Sequence, residues 1–321
     1  MRAVHLIDYT GPDGLKIIDT DEPIGDGKVV VDLHAAGVAF PDLLQSRAGY
    51  QVVRPLPALL GMEGAGIVRS APEAHELRAG QRVAVFSDAG TWQQTVAVDP
   101  RLVFPLPDAV SFGAGAGFLL NYLTVHFALD ERARYRPGDT VLVHGAAGGV
   151  GVAALQVASA LGLDTIAVVS TDAKAEVARA HGATHVIGVD EFKDHALELT
   201  RGRGVDIILD PVGGERFTDS LRSLAPGGRA VVLGFTAGQI PTVKVNRLLL
   251  KNISVVGAGW AEYMRADPSY PARQWATLRP LLDNGDLTIA EPTLFPMERA
   301  ADALRALDAR AASGKIVLAL R

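Results

Sequence analysis

The stretch Val141–Gly162, VLVHGAAGGVGVAALQVASALG, restricts the possible folds more than any other part of the chain. Val141, Leu142 and Val143 form the short apolar run of a buried parallel strand, and an amphipathic helical pattern follows from Val150 to Leu161. Between them, Ala146, Gly148 and Gly151 occupy the three positions of a dinucleotide-binding fingerprint, with alanine in place of the first glycine. A side chain at Gly148 would collide with a pyrophosphate, and a side chain at Gly151 would hold the new helix off the strand. The free amides and positive dipole end of that helix suit an anion. The segment Ala146, Ala147, Gly148, Gly149, Val150 and Gly151 is therefore the expected binding turn of a nicotinamide or flavin nucleotide, the alternative being a purely structural turn.

The residues after the next strand, Thr165–Val169, bear on which nucleotide. A site for a bare ribose diol carries Asp or Glu at that strand's end. Here stand Ser170 and Thr171, with Lys174 just beyond, and hydroxyls with an ammonium suit a 2′-phosphate. Asp172 is acidic and close, but its place before Ala173 and Lys174 fits a first helical turn. The reading is NADPH rather than NADH, against the alternative of Lys174 as a solvated surface lysine.

A chain of 321 residues is too long for one ordinary core, and 48% apolar residues suffice for two. The formal charge of −5 with interspersed signs and no basic block argues against nucleic acid as a partner. With no cysteine there are no disulfides, thiolate nucleophiles or thiolate zinc ligands, which is compatible with a cytoplasmic protein. The N-terminus MRAVHLIDYT has charges and no apolar core, so no signal peptide is expected there. The uncharged run Thr140–Leu163 would satisfy a hydropathy scan, but its glycines and His144 favour a strand, turn and helix over a membrane span. The eight histidines, His5, His34, His75, His126, His144, His181, His185 and His195, show no metal-ligand spacing.

The texture changes along the chain. Up to about residue 120, short alternating runs are broken by Gly, Pro and Asp, with strands expected at Arg2–Leu6, Lys28–Ala36, Gly64–Ser70, Gln81–Phe86 and Thr91–Val98 and a helical turn at Pro41–Gln45. From Thr140 to Val256, strands alternate with helices, as in a doubly wound parallel sheet. The expected strands are Val141–His144, Thr165–Val169, Val186–Ile187, Val205–Leu209, Arg229–Leu233 and Ile253–Val256. Turn signals at Asp267–Pro271 place a loop over Ala261–Pro271, a helix follows over Met297–Ala309, and Lys315–Leu320 reads as a last strand.

Several segments together, VHGAAGGVG, AFPDLLQSRAGY, GMEGAGIV, NYLTVHFAL, VDIILDPVGG, LAPGGRAVVLGF and GKIVL, carry a family resemblance. The chain resembles the zinc-independent quinone oxidoreductase (zeta-crystallin-like) branch of the medium-chain dehydrogenase/reductase superfamily. The resemblance implies an α/β protein with a GroES-like β-rich catalytic domain, residues 1–121 and 263–321, a Rossmann domain with a doubly wound parallel sheet, residues 122–262, and a cofactor between them. It also implies cofactor contacts from Thr124, from Gly234, Phe235 and Thr236, from Gly257, Ala258 and Gly259, and from Lys315. Plain alternatives are core packing for Phe235 and solvation for Lys315. Tyr50 resembles a tyrosine that protonates substrate in related enoyl-thioester reductases, and reads equally as an interface or core tyrosine.

Zinc-dependent relatives hold their metal with cysteine and with histidine of a G-H-E motif, where this chain has Gly61-Met62-Glu63. No metal site is expected. Without a Lewis acid to stabilise an alkoxide, acceptors that delocalise their own charge are favoured: quinones, or alkenes conjugated to a carbonyl. Two positions depart from the pattern: Ala39 replaces a common asparagine, and Val189 replaces a tyrosine common near the adenosine phosphate. Asp210, before Pro211, reads either as a cap of the next helix or as a cofactor contact.

Three functions stay open: an NADPH-dependent quinone reductase, an NADPH-dependent enoyl-thioester or enone reductase, and a non-catalytic nucleotide-binding structural or RNA-binding protein. The resemblance implies a homodimer joined through sheet edges, and the alternation of Ile240, Val243 and Val245 marks Gln239–Val245 as a candidate edge strand, or as a loop in a monomer.

Overall fold

The computed structural model describes residues 1–73, 75–310 and 312–321. Two compact units divide the chain: residues 1–120, 268–276 and 289–321 form one, and residues 121–267 and 277–288 the other.

The first unit opens with β1 (Arg2–Leu6), β2 (Leu15–Asp19) and β3 (Val29–Val38), then the short helix α1 (Phe40–Gln45). β4 (Ala58–Leu59), β5 (Glu63–Ser70), β6 (Arg82–Phe86), β7 (Thr95–Val98), β8 (Val103–Pro105) and α2 (Phe112–Ala116) follow. β3 is the organising strand. Its ten residues, VVVDLHAAGV, are buried but for Asp32 and His34, and it pairs antiparallel with both β5 and β7. The expected strand Thr91–Val98 shortens at its start because Trp92 leaves the ladder. The indole is fully buried and donates from Nε1 to the Gly37 carbonyl at 2.9 Å.

The second unit begins within α3 (Leu119–Phe127), which continues as a π-helical turn over Ala128–Ala133. Regular alternation then starts: β9 (Thr140–His144), α4 (Gly149–Ala160), β10 (Asp164–Val169), α5 (Asp172–Ala180), β11 (His185–Gly188), α6 (Phe192–Leu199), β12 (Val205–Asp210), α7 (Phe217–Ser223), β13 (Leu224–Val232), α8 (Asn246–Lys251) and β14 (Ser254–Gly257). The six strands are parallel in the order β11-β10-β9-β12-β13-β14. This is the 3-2-1-4-5-6 order of a doubly wound sheet, which reverses between β9 and β12. Val141, Leu142 and Val143 are buried between helical layers, which explains why their run is apolar without alternation.

Two expectations fail in the last third of the chain. Gln239–Val245 forms no strand; Gly238 takes φ +86° ahead of it, Pro241 lacks an amide, and the edge strands of the sheet are β11 and β14. Ala261–Pro271 is largely helical rather than a loop: α9 (Trp260–Ala266) and the start of α10 (Tyr270–Asn284) occupy it. Pro271 stands in the first turn of α10, where a missing amide costs nothing, and Pro280 sits inside the helix. β15 (Thr293–Pro296), a 3₁₀ turn at Met297–Arg299, α11 (Ala300–Asp308) and β16 (Ile316–Ala319) complete the chain. β16 pairs with β3, so the chain's end closes the first unit's seven-stranded sheet.

Trp275 of α10 packs on Phe104 and Phe118, with ring centroids 5.4 and 5.6 Å away. We expect Trp275→Ala to cost about 3–5 kcal/mol. Thermal unfolding should then start roughly 10 °C lower; an unchanged melting temperature would show that this aromatic cluster is not a structural anchor.

Candidate functional site

In parallel sheets ligands bind beyond the carboxyl ends of the strands, near the reversal of strand order. At the end of β9 the chain turns at Gly145, which adopts φ +60°, and the Gly148 amide closes on the Gly145 carbonyl at 2.9 Å. The turn-forming glycine thus lies one residue before Ala146, which is why alanine is tolerated there. Gly148 precedes α4 and offers no side-chain cap, so the amides of Gly149, Val150 and Gly151 have no carbonyl one turn back to bond. A Cβ on Gly151 would lie 2.2 Å from the Gly145 carbonyl oxygen, so glycine is obligatory for the packing of α4 on its strand.

Elsewhere along these strand ends glycine stands where the protein's own packing does not require it. A Cβ at Gly148 would meet only the Gly145 oxygen at 3.4 Å, one at Gly234 only the Pro211 oxygen at 3.4 Å, and one at Gly257 nothing within 4 Å. The ends of β9, β13 and β14 are bare backbone facing open space, a cradle that suits a flat, phosphate-bearing ligand.

Beyond β10, Ser170 and Thr171 are exposed, and the Lys174 ammonium lies 3.4 Å from the Ser170 hydroxyl. Thr171 caps α5 by accepting the Lys174 amide at 3.3 Å, and Asp172 is the first residue of that helix. Val189 has packed against the core instead of reaching the ligand side.

Beyond β13, the segment from Gly234 to Gln239 is laced to the one after β12. The Thr236 amide donates to the Pro211 carbonyl, the Ala237 amide to Val212, and the Gly214 amide to Gln239, at 2.9–3.1 Å. Phe235 stays exposed on this double loop. Asp210 is fully buried; its Oδ1 accepts the Val212 and Gly213 amides at 2.8 and 2.9 Å, fixing its own turn.

At β14, the Ala258 amide returns to the Val232 carbonyl, and Arg132 Nε donates to the Gly257 carbonyl at 2.8 Å. Arg132 lies on the π-helical turn, an element that sequence periodicity does not reveal. Thr124 is half-buried on α3.

The remaining expected residues, Tyr50 and Lys315, belong to the first unit. Tyr50 is half-buried in the loop before β4, where Val52 and Val53 are exposed. Lys315 is buried, and its ammonium is bound by Glu63 Oε1 at 2.5 Å, while Glu63 Oε2 accepts the Leu120 amide at 2.8 Å. Asp42 lies nearby in the same network. One oxygen accepts the Ala39 amide and the other the Gly61 amide, at 2.8 and 2.9 Å, so it holds the turn that carries Met62 and Glu63. Burial pushes the Asp42 carboxyl up to about 6, against the pull of those two amides. Sequence spacing did not single out this network, because its members lie far apart in the chain. Among the described residues no group of three or more His, Cys, Asp or Glu side chains could hold a metal ion, and no helix is long and apolar enough to cross a membrane.

Residues 25–108 match the alcohol dehydrogenase GroES-like domain family, and residues 149–276 the zinc-binding dehydrogenase family. The chain is 36% identical to quinone oxidoreductase-like protein 2 of Rattus norvegicus, over 93% of this chain and 87% of that protein. The quinone oxidoreductase of Thermus thermophilus, solved alone and in complex with NADPH, shares the fold with a TM-score of 0.86 and 33% identity over 100% of both chains. That of Pseudomonas syringae pv. tomato does so with a TM-score of 0.89 and 30% identity over 99% of both. The chain belongs to the quinone oxidoreductase branch of the medium-chain dehydrogenase/reductase superfamily.

The two fingerprint glycines should respond differently to the same added methyl. Gly151→Ala must displace backbone and is expected to lose several kcal/mol of stability. Gly148→Ala meets no clash and should melt within about 3 °C of wild type. Equal losses, read by calorimetry, would contradict this geometry.

Proposed function

We propose that the protein is an NADPH-dependent, zinc-independent reductase that delivers hydride to a quinone. The observation that carries this reading is the bare-glycine cradle at the ends of β9, β13 and β14, with Ser170 and Lys174 beyond β10. The NADPH complex of the Thermus thermophilus relative supports it. When bound, the nicotinamide supplies the hydride.

In this reading the uncapped amides of Gly149, Val150 and Gly151, with Ala146, Ala147 and Gly148, hold the pyrophosphate. Ser170, Thr171 and Lys174 hold the 2′-phosphate. Thr124, the Gly234–Phe235–Thr236 segment and the backbone of Gly257, Ala258 and Gly259 orient the nicotinamide end. Lys315 is the C-terminal cofactor contact in this reading and keeps its ion pair with Glu63. Tyr50 is the proposed proton donor to the reduced acceptor.

Zinc-independence is supported by the donor set. Met62 stands where zinc-dependent relatives have histidine, cysteine is absent, and Glu63 is neutralised by Lys315. A quinone takes a hydride without a Lewis acid because its rings delocalise the charge, and conjugated enones or enoyl thioesters share that property. A small-molecule acceptor and a cytoplasmic setting complete the reading; the cysteine-free composition supports the latter.

A homodimer belongs to the same proposal. Ile240, Val245, Leu249 and Leu250, in the segment before β14, are 74–78% exposed, and β14 ends the sheet with an edge of the kind that is normally covered. A second copy supplies the same apolar surface. Val243 packs against the core and is not part of it.

Three measurements test the proposal. NADPH should bind about tenfold tighter than NADH, and Lys174→Ala should erase most of that preference; equal dissociation constants in the wild type would refute the 2′-phosphate reading. After exhaustive chelation, 1,4-benzoquinone should still drive NADPH consumption. Turnover of enones or enoyl thioesters alone would move the substrate to a C=C bond, and tight NADPH binding with no turnover would favour a non-catalytic role. Light scattering should give twice the single-chain mass, shifted toward one chain by Leu250→Asp; a monomeric wild type would remove the dimer.

A further inference from the structure

Where the strand order reverses, β9 and β12 lie side by side with Val143 opposite Leu209. The next residues, His144 and Asp210, therefore end neighbouring strands on the same face of the sheet. Both are fully buried, as is Ser220 of α7, whose hydroxyl lies 2.9 Å from His144 Nε2. Phe192 of α6 packs edge to face on the imidazole, with ring centroids 4.9 Å apart. Burial pushes the His144 pKa down to about 4, and the Asp210 charge opposes that shift. The ring is thus neutral at pH 7, with one N–H to place.

Two polar atoms are left over. Oδ1 of Asp210 serves the Val212 and Gly213 amides, and Nε2 of His144 serves Ser220, while Oδ2 and Nδ1 have no partner. Among the described residues of the second unit these are the two buried side-chain atoms in that condition. They are chemically complementary: a ring nitrogen able to carry the proton, and an oxygen that only accepts. Buried polar groups in folded proteins are almost always satisfied, and a buried water is a common partner for those that bond no protein atom.

We propose that one buried water joins His144 Nδ1 to Asp210 Oδ2, and that the resulting Ser220–His144–water–Asp210 relay makes Asp210 the positioning residue for the nicotinamide side of the site. The connection runs onward through backbone. Asp210 fixes the amides of Val212 and Gly213, and the carbonyls of Pro211 and Val212 receive the amides of Thr236 and Ala237, the two residues after Phe235. The relay touches no part of the Ser170–Lys174 end. The inference rests on the cofactor reading above, and it adds that the two halves of the cofactor depend on different residues.

The test compares whole NADPH with 2′,5′-ADP, a fragment that carries the 2′-phosphate but no nicotinamide. Asp210→Asn retains an acceptor for the Val212 and Gly213 amides but changes the group facing His144. Its NADPH dissociation constant should rise about tenfold while that of 2′,5′-ADP stays within about twofold of wild type. Ser220→Ala, a milder change at the far end of the relay, should shift in the same direction by a smaller factor. A high-resolution crystal structure of the wild type should show density within hydrogen-bonding reach of both atoms. Unchanged NADPH affinity in both variants, equal weakening of the two ligands, or a water-free contact between His144 and Asp210 would each overturn the proposal. Failure of 2′,5′-ADP and NADPH to bind the wild-type protein would instead overturn the cofactor reading.

Discussion

The close approach of α4 to the end of β9 is the constraint on which the second unit depends. With Gly151 pressed to within a Cβ's width of the Gly145 carbonyl, the helix starts directly above the strand, and its unbonded amides lie beyond the strand's end. The other parallel strands then present their carboxyl ends at the same level. Each end is finished differently: a hydroxyl and ammonium pair after β10, a loop laced by three hydrogen bonds after β13, and an arginine-pinned glycine closing β14. Apolar burial makes the sheet, but the absence of side chains at its tips makes the sheet useful.

The first unit solves a different problem. It buries three charged side chains, Asp42, Glu63 and Lys315. A buried ion pair contributes little net stability once desolvation is counted. Here the charges also bond backbone amides: Glu63 takes the Leu120 amide, and Asp42 takes those of Ala39 and Gly61. The network therefore acts mainly as a set of fixed acceptors that holds the Gly61-Met62-Glu63 turn and the start of α1. Ala39 supplies only its backbone to this arrangement, so the loss of a polar side chain there leaves the turn intact.

Sequence reading was reliable where periodicity and context agreed. The six parallel strands between Thr140 and Gly257 all lie at their expected places, β13 alone starting five residues early at Leu224, because a parallel sheet buried on both faces imposes continuous apolar runs; the short helix α8 was not expected. The loop expected over Ala261–Pro271 from the turn signals at Asp267–Pro271 is instead α9 and the start of α10, whose Tyr270, Trp275 and Leu278 supply a buried helical face. At Gln239–Val245 the alternation is genuine but forms no strand: the Gln239 carbonyl accepts the Gly214 amide, and the Lys244 and Val245 carbonyls accept amides of α8. The π-helical turn carrying Arg132 has no sequence signature, since one extra residue per turn is decided by what the helix packs against.

The sequence by itself determined the succession of the six parallel strands, the glycine-rich turn, the hydroxyl and lysine pattern after β10, and the loss of zinc-ligand residue types. These are local properties, set by side-chain volume, backbone freedom and donor chemistry within a few residues. Tertiary structure alone decided which distant polar groups meet: Glu63 with Lys315, Asp42 with Gly61, His144 with Ser220, and Arg132 with Gly257. Each partnership spans a separation in the chain that no short-range pattern encodes. Each is fixed because a polar group carried into the interior must find a hydrogen-bond partner among whatever the packed elements bring beside it.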